Sequence, residues 1–216
     1  MPQCYARIPE DTLVDEFLSV YDVSDSVATL VTTDVATTWD ALMEVDLLEV
    51  GRKRPLVAVL GAMRALPDVV GELMRGHRPQ RPPATMRLRD LTNIPLGKGG
   101  WILLGEQRHE EIALGLVGKF WRPIIEFESV RAQDFRDFAE PGCAKTVYSL
   151  AVRPIDDRRT LLTGTMRTAT TDEHARRWFR RYWTFGVGSG AHVLADALLD
   201  VTREMAEARA VTTQPW

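Results

Sequence analysis

The chain is poor in cysteine, in lysine and in long apolar runs. Only Cys4 and Cys143 stand in 216 residues. Two thiols cannot build a disulfide framework, and no pair has the close spacing of a zinc site. Such a chain suits a reducing compartment, so a cytoplasmic location is expected. The first residues, Met1 to Arg7, run straight into Glu10, Asp11, Asp15 and Glu16. That start lacks the basic opening and unbroken apolar stretch of a signal peptide. The longest apolar segments, near 56–60 and 112–117, are too short to cross a bilayer, so no transmembrane segment is expected. An excess of one charge is also missing. The 27 Lys+Arg against 30 Asp+Glu leave a net charge of -3, which argues against a dedicated nucleic-acid binder. There is no Walker loop and no G-x-S-x-G. The glycines at 186, 188 and 190 lack the lysine and the preceding strand of a phosphate loop. Missing motifs do not exclude an enzyme, because catalytic groups converge from distant segments.

What is present is a globular composition, with 45% hydrophobic and 26% charged residues. Residues 1–23 show no clear period beyond one short turn at Leu13, Phe17, Leu18 and Tyr21, and read as an N-terminal extension. The β-branched stretch at 26–33 reads as a strand. Asp34 then stands where a helix N-cap belongs, with Trp39, Leu42 and Met43 at helical spacing. Residues 56–74 are apolar with a break at Pro67 and read as one or two helices. The proline-rich stretch 77–83 reads as a loop. Strands are expected at 85–91, 101–107, 112–120, 123–130, 144–153 and 160–169. Turns are expected at 97–100, 107–110 and 156–159, with a helical turn at 132–139.

The clearest helix comes last. Thr170 to Glu173 fits a capping box. Ala175, Trp178, Phe179, Tyr182 and Trp183 recur on one face, and Arg176, Arg177, Arg180 and Arg181 fall on the other. After the glycines a second stripe follows: Leu194, Leu198, Val201 and Met205. Strands and helices are segregated along the chain, which is the signature of an α+β fold. Thr146, Tyr148, Leu150 and Val152 alternate with Lys145, Ser149 and Arg153. Leu162, Gly164, Met166 and Thr168 alternate with Thr163, Thr165 and Arg167. This predicts an antiparallel sheet with one apolar face under the last helix and one wet face.

In that order of elements the chain resembles the START and Bet v 1-like (SRPBCC, helix-grip) superfamily. The resemblance spans about 24–209, leaving 1–23 as an extension and 210–216 as a tail. It rests on the opening strand with TDVATTWDAL at 33–42, the antiparallel run and the closing amphipathic helix. More narrowly, the segments LGLVGKFW at 114–121, FAEPGCAK at 138–145 and ARRWFRRYW at 175–183 are similar to those of a bacterial group in that superfamily. The resemblance implies a helix-grip fold: a curved antiparallel sheet wrapped around a long C-terminal helix, with an apolar cavity between them. It implies no set chemistry. The longer stretch at 56–74 and the glycines at 186–190 depart from the superfamily pattern at the expected cavity mouth.

The expected contacts of a small apolar molecule (a lipid, polyketide or isoprenoid) are Thr146, Tyr148, Leu150, Leu162, Gly164, Met166, Phe179 and Trp183. Thr146 and Tyr148 are the polar members, since a hydroxyl on an apolar face needs a partner. Plain core packing is the alternative for each aromatic. Arg167 and Glu106 are a candidate polar pair inside a pocket. The cluster His109, Glu110 and Glu111 lacks a third convergent ligand, so no metal, cofactor or catalytic residue is assigned. Three functions stay open: binding of a small apolar molecule, a cyclase-, dehydratase- or hydrolase-like enzyme using the same cavity, and an interaction or regulatory protein with a filled core.

Overall fold

A computed structural model describes residues 12–53 and 84–213. The expected helices at 56–74 and the loop at 77–83 lie outside the described residues. The elements are α1 (Leu13–Phe17), β1 (Val23–Val31), α2 (Val35–Glu44), α3 (Leu47–Lys53), β2 (Pro95–Leu96), β3 (Gly99–Gly100), β4 (Ile102–Gln107), β5 (Glu111–Lys119), β6 (Glu126–Phe127), β7 (Ala144–Asp156), β8 (Arg159–Thr170), α4 (Glu173–Tyr182) and α5 (Gly188–Thr213). The main sheet has the order β1-β8-β7-β5-β4, every pair antiparallel, with β6 pairing the end of β5. This is an α+β architecture, an antiparallel sheet with a long C-terminal helix packed chiefly along β1.

Local chemistry fixes several boundaries. Asp34 is the N-cap of α2 and accepts from the Thr37 amide at 2.9 Å, as its place in the sequence requires. The expected cap of the last helical segment moves by two residues. Asp172, not Thr170, caps α4, accepting from the Ala175 amide at 2.7 Å. Thr170 is still in β8, held by Asp22 through both its amide and its hydroxyl. The expected strand at 85–91 is instead a 3-10 helix, Leu88–Asn93, because the Asp90 carboxylate accepts from the Arg87 amide and closes a turn. The expected strand at 123–130 shrinks to the two residues of β6.

The β4–β5 turn places His109 at φ 62, in the left-handed region, with its ring edge-on to Trp39 at 6.3 Å. Trp39 itself is 2% exposed and sits in the largest core. That core lies between α2, α5 and the inner faces of β1, β7 and β8, through Val27, Val31, Leu150, Val152, Leu162 and Leu199. The helix α5 runs chiefly along β1 and beside α2.

The other face of the sheet is not wet, which corrects the simple alternation argument. A second core forms there from Leu13, Val14, Leu104, Val117, Phe135 and Val147. The helix α1 closes it. Its first amide donates to the Glu111 carboxylate at 3.0 Å, and Glu111, 1% exposed, also takes the Ser149 hydroxyl and faces Arg153 at 3.5 Å. Arg167 holds the other end of α1 through Asp15 at 2.6 Å and the Leu18 carbonyl at 3.3 Å. So Arg167 and Glu106 do not meet, and Glu106 pairs with Arg89 at 2.5 Å. Burial pushes the Asp15 carboxyl up, but hydrogen bonds from Thr12 and Arg167 hold it below its ordinary value.

Between α4 and α5 the chain makes one π turn, Trp183–Val187, rather than a full break. Gly188 is needed there. A Cβ at 188 would stand 2.8 Å from the Trp183 indole. Gly164 differs, since a Cβ there meets Leu150, Leu199 and Val27 at 3.4 Å, an ordinary contact. Gly188→Ala should therefore destabilise by about 1–3 kcal/mol, because the clash outweighs a helix-propensity gain of about 1 kcal/mol. Gly164→Ala should stay within about 1 kcal/mol of the parent. Urea unfolding midpoints separate the two; a Gly188→Ala chain as stable as the parent would show that the indole moves freely.

Candidate functional site

The strand register sets three rows across the inner face of the sheet. They are Leu116, Thr146, Thr168 and Val23; then Leu114, Tyr148, Met166 and Asp25; then Ile112, Leu150, Gly164 and Val27. Directly paired residues of antiparallel strands share a face. All eight sequence-predicted contacts belong to this side of the sheet or to the helical segment above it, but they fall into three different settings.

Leu150 and Leu162 are fully buried and pack in the main core, with Gly164 beside them facing Leu199. At the opposite end, Phe179 is buried against Phe120 and Ala144, and Trp183 joins from the π turn. Phe179 and Trp183 stack with centroids 5.9 Å apart. Thr146 satisfies its hydroxyl on Thr168 across the strand pair, at 2.8 Å. The expected inward face of α4 is right for Phe179 and wrong for Trp178, which is 45% exposed. Ala175 and Phe179 lie against the sheet, and Trp178 falls at the outer edge of the expected stripe. The four arginines are exposed as expected.

The middle row differs from both ends. Leu114 is buried, while Tyr148 and Met166 are half-buried. The Tyr148 hydroxyl makes no hydrogen bond among the described residues. Burial, with the charge of Asp25 beside it, pushes the phenol well above the ordinary tyrosine range. Asp25 in turn holds His192 of α5, whose Nδ1 stands 3.0 Å from both carboxylate oxygens. His192 is itself exposed, so this pair forms a polar rim beside an apolar row.

Three of these groups were not singled out from the sequence. Asp25 was the most visible of them, as the one carboxylate among the inward positions Val23, Val27, Thr29 and Val31 of β1. Leu114 was hidden inside a uniformly apolar strand. Nothing local marks His192, because its partner lies 167 residues away.

Elsewhere the surface carries two grooves of about 540 Å³ each. One lies between α2 and the 3-10 helix and is lined by Trp39, Met43 and Arg108; the other lies between α3 and α5 and is lined by Val201 and Met205. Neither includes a residue of the middle row. Among the described residues no cluster of three or more His, Cys, Asp or Glu could hold a metal ion. Cys143 is buried, and burial together with Glu128 pushes its thiol up, away from nucleophilic use. No described helix is long and apolar enough to cross a membrane.

No family model matches the chain, and no relative was found among curated proteins. Solved structures do show likeness. A conserved protein from Geobacillus kaustophilus aligns at a TM-score of 0.37 with 13% identity, covering 87% of this chain and 97% of that one. Norcoclaurine synthase from Thalictrum gives 0.34 with 11% identity, covering 86% and 98%. The Zhui aromatase/cyclase from Streptomyces sp. R1128 gives 0.31 with 13% identity, covering 87% and 95%. Likeness of this degree carries nothing about ligand or reaction.

Since the Tyr148 hydroxyl has no partner to lose, Tyr148→Phe should change folding stability by less than about 1 kcal/mol. A raised phenol also has a pH consequence of fixed sign. The folded chain prefers the neutral form, so this contribution is complete below the ordinary tyrosine value near 10 and fades as pH rises through it. Unfolding curves across that range should fall more steeply for the parent than for Tyr148→Phe. Equal slopes would place the phenol in water.

Proposed function

We infer that the space above the Leu114, Tyr148 and Met166 row receives a small, mostly apolar molecule bearing one hydrogen-bond acceptor. The observation that carries this reading is a half-buried phenol, packed against the main core, with no hydrogen-bond partner among the described residues. A half-buried hydroxyl with no partner on the described chain can donate, and a ligand carbonyl or hydroxyl would supply an acceptor. The apolar body would lie on Leu114, Met166 and the edge of Trp183. Lipids, polyketides and isoprenoids with an oxygen function fit that description. Leu150, Leu162 and Gly164 would act as the floor beneath, through packing rather than direct contact.

A second reading is proton-transfer chemistry on the same molecule. It is favoured by His192, whose Nδ1 is committed to Asp25, leaving Nε2 as the free nitrogen. Binding alone asks less of the geometry, and is the primary proposal.

Uptake of N-phenylnaphthylamine, a neutral fluorescent probe, tests it. The parent should brighten the probe, and Met166→Trp, which fills the row, should weaken uptake by about tenfold or more while keeping the parent's circular dichroism. Tyr148→Phe should leave probe binding intact yet weaken binding of a ketone-bearing analogue by about five- to twentyfold, the worth of one buried hydrogen bond. A parent that takes up no probe, and releases no small molecule on solvent extraction followed by native mass spectrometry, would overturn the reading.

A further inference from the structure

We propose that the outer face of α4 and the π turn is a docking surface for an anionic lipid membrane. The burial pattern leaves an unusual stripe in the open. His174, Trp178, Arg181 and Phe185 recur at helical spacing on the side away from the sheet. Phe185 is 84% exposed and Trp178 45%. Large aromatics so open to water cost free energy unless something covers them. The π turn projects Phe185 outward while the preceding Trp183 turns inward to stack on Phe179.

Cations outnumber anions around the stripe. Arg176, Arg177, Arg180 and Arg181 are all exposed on this short helix. The acidic groups beside them are already engaged. Glu173 pairs with Arg176 at 3.1 Å, and Asp22 takes the same guanidinium at 2.7 Å. Asp172 spends its carboxylate on the amides of Ala175 and Gly142. Arg181 lies over the Trp178 ring at 5.4 Å, and His174 meets the ring edge-on at 6.4 Å. Arg177 and Arg180 have no ion-pair partner among the described residues. Exposed aromatics flanked by the guanidinium groups of Arg177, Arg180 and Arg181 match the two layers of an anionic interface. The rings enter the headgroup boundary, and the cations meet the phosphates. The chain as a whole is acidic, at -3, so the cationic patch is local rather than general. This surface does not depend on what the inner row binds, although Trp183 on the reverse of the same turn would bring the two sites close.

Flotation of the full chain with phosphatidylglycerol vesicles and with phosphatidylcholine vesicles is the test. Binding is expected to the first and to be much weaker to the second, and to fall as salt rises. Arg177→Glu with Arg181→Glu should lower partitioning by on the order of tenfold or more, since each cation near such a surface contributes about 1 kcal/mol. Phe185→Ser should lower it several-fold with no change in salt slope. Arg177, Arg181 and Phe185 are all exposed, so the variants should keep the parent's thermal midpoint. Equal binding to both vesicle types, or full binding by the double variant, would overturn the proposal. So would failure to float while the same arginines bind a single-stranded oligonucleotide or polyglutamate. Because the readout is flotation, loss of probe uptake by the inner row would leave this result unaffected.

Discussion

The β7–β8 hairpin is covered on both faces, and the rest of the chain is arranged around it. Leu150, Val152 and Leu162 face one way, and Val147 and Ala169 face the other. A two-stranded pair is not stable alone and needs further strands or a helix packed on its apolar face. The chain after the hairpin, α4 and α5, covers the inner face. The chain before β1, α1, helps to cover the outer face together with Phe135 and its 3-10 turn. The two ends of the sequence are thereby bound to opposite sides of one hairpin.

The two covers are attached by different physics. The inner one is almost wholly apolar, with a long helix along β1 and small residues such as Ala195 and Ala206 letting it approach. The outer one is short, and a five-residue helix cannot hold itself by hydrogen bonding alone. It is held instead by Glu111 at its first amide and by Arg167 at its far end. Glu111 is tolerable inside the sheet because Ser149, Arg153 and the Leu13 amide all serve it. Removing α1 would strand that carboxylate in an apolar face.

Much of this was legible in the sequence. The Thr/Val/Leu alternation of 144–153 and 160–169 placed both long strands to within a few residues. Asp34 marked α2 correctly because an N-cap is a local device. The failures also have physical reasons. The outer face read as wet because Lys145, Ser149 and Arg153 are polar, yet Lys145 reaches the Phe135 and Arg136 carbonyls, while Ser149 and Arg153 serve Glu111. Polar residues satisfied by distant partners look the same in sequence as polar residues in water. The α4 phase slipped for Trp178 because four aromatics in six positions over-fill one helix face, and only packing decides which of them faces out. The row around Tyr148 was named in part, through Tyr148 and Met166, whereas Asp25 and His192 depend on a pairing between the first strand and the last helix.

The position of the half-buried row follows from these same covers. With α5 drawn toward β1, its small residues fill the end of the inner face around Leu150 and Leu162. The segment α4 is steered by Gly188 and the π turn, so Phe179 and Trp183 fill the other end around Ala144 and Leu116. The two fillings come from helical segments on either side of the π turn. Between them the sheet presents Tyr148, packed against the main core, and Met166, both half-buried. A tyrosine rather than a phenylalanine in that place adds a hydroxyl at the half-buried edge of the main core, where no described side chain bonds it.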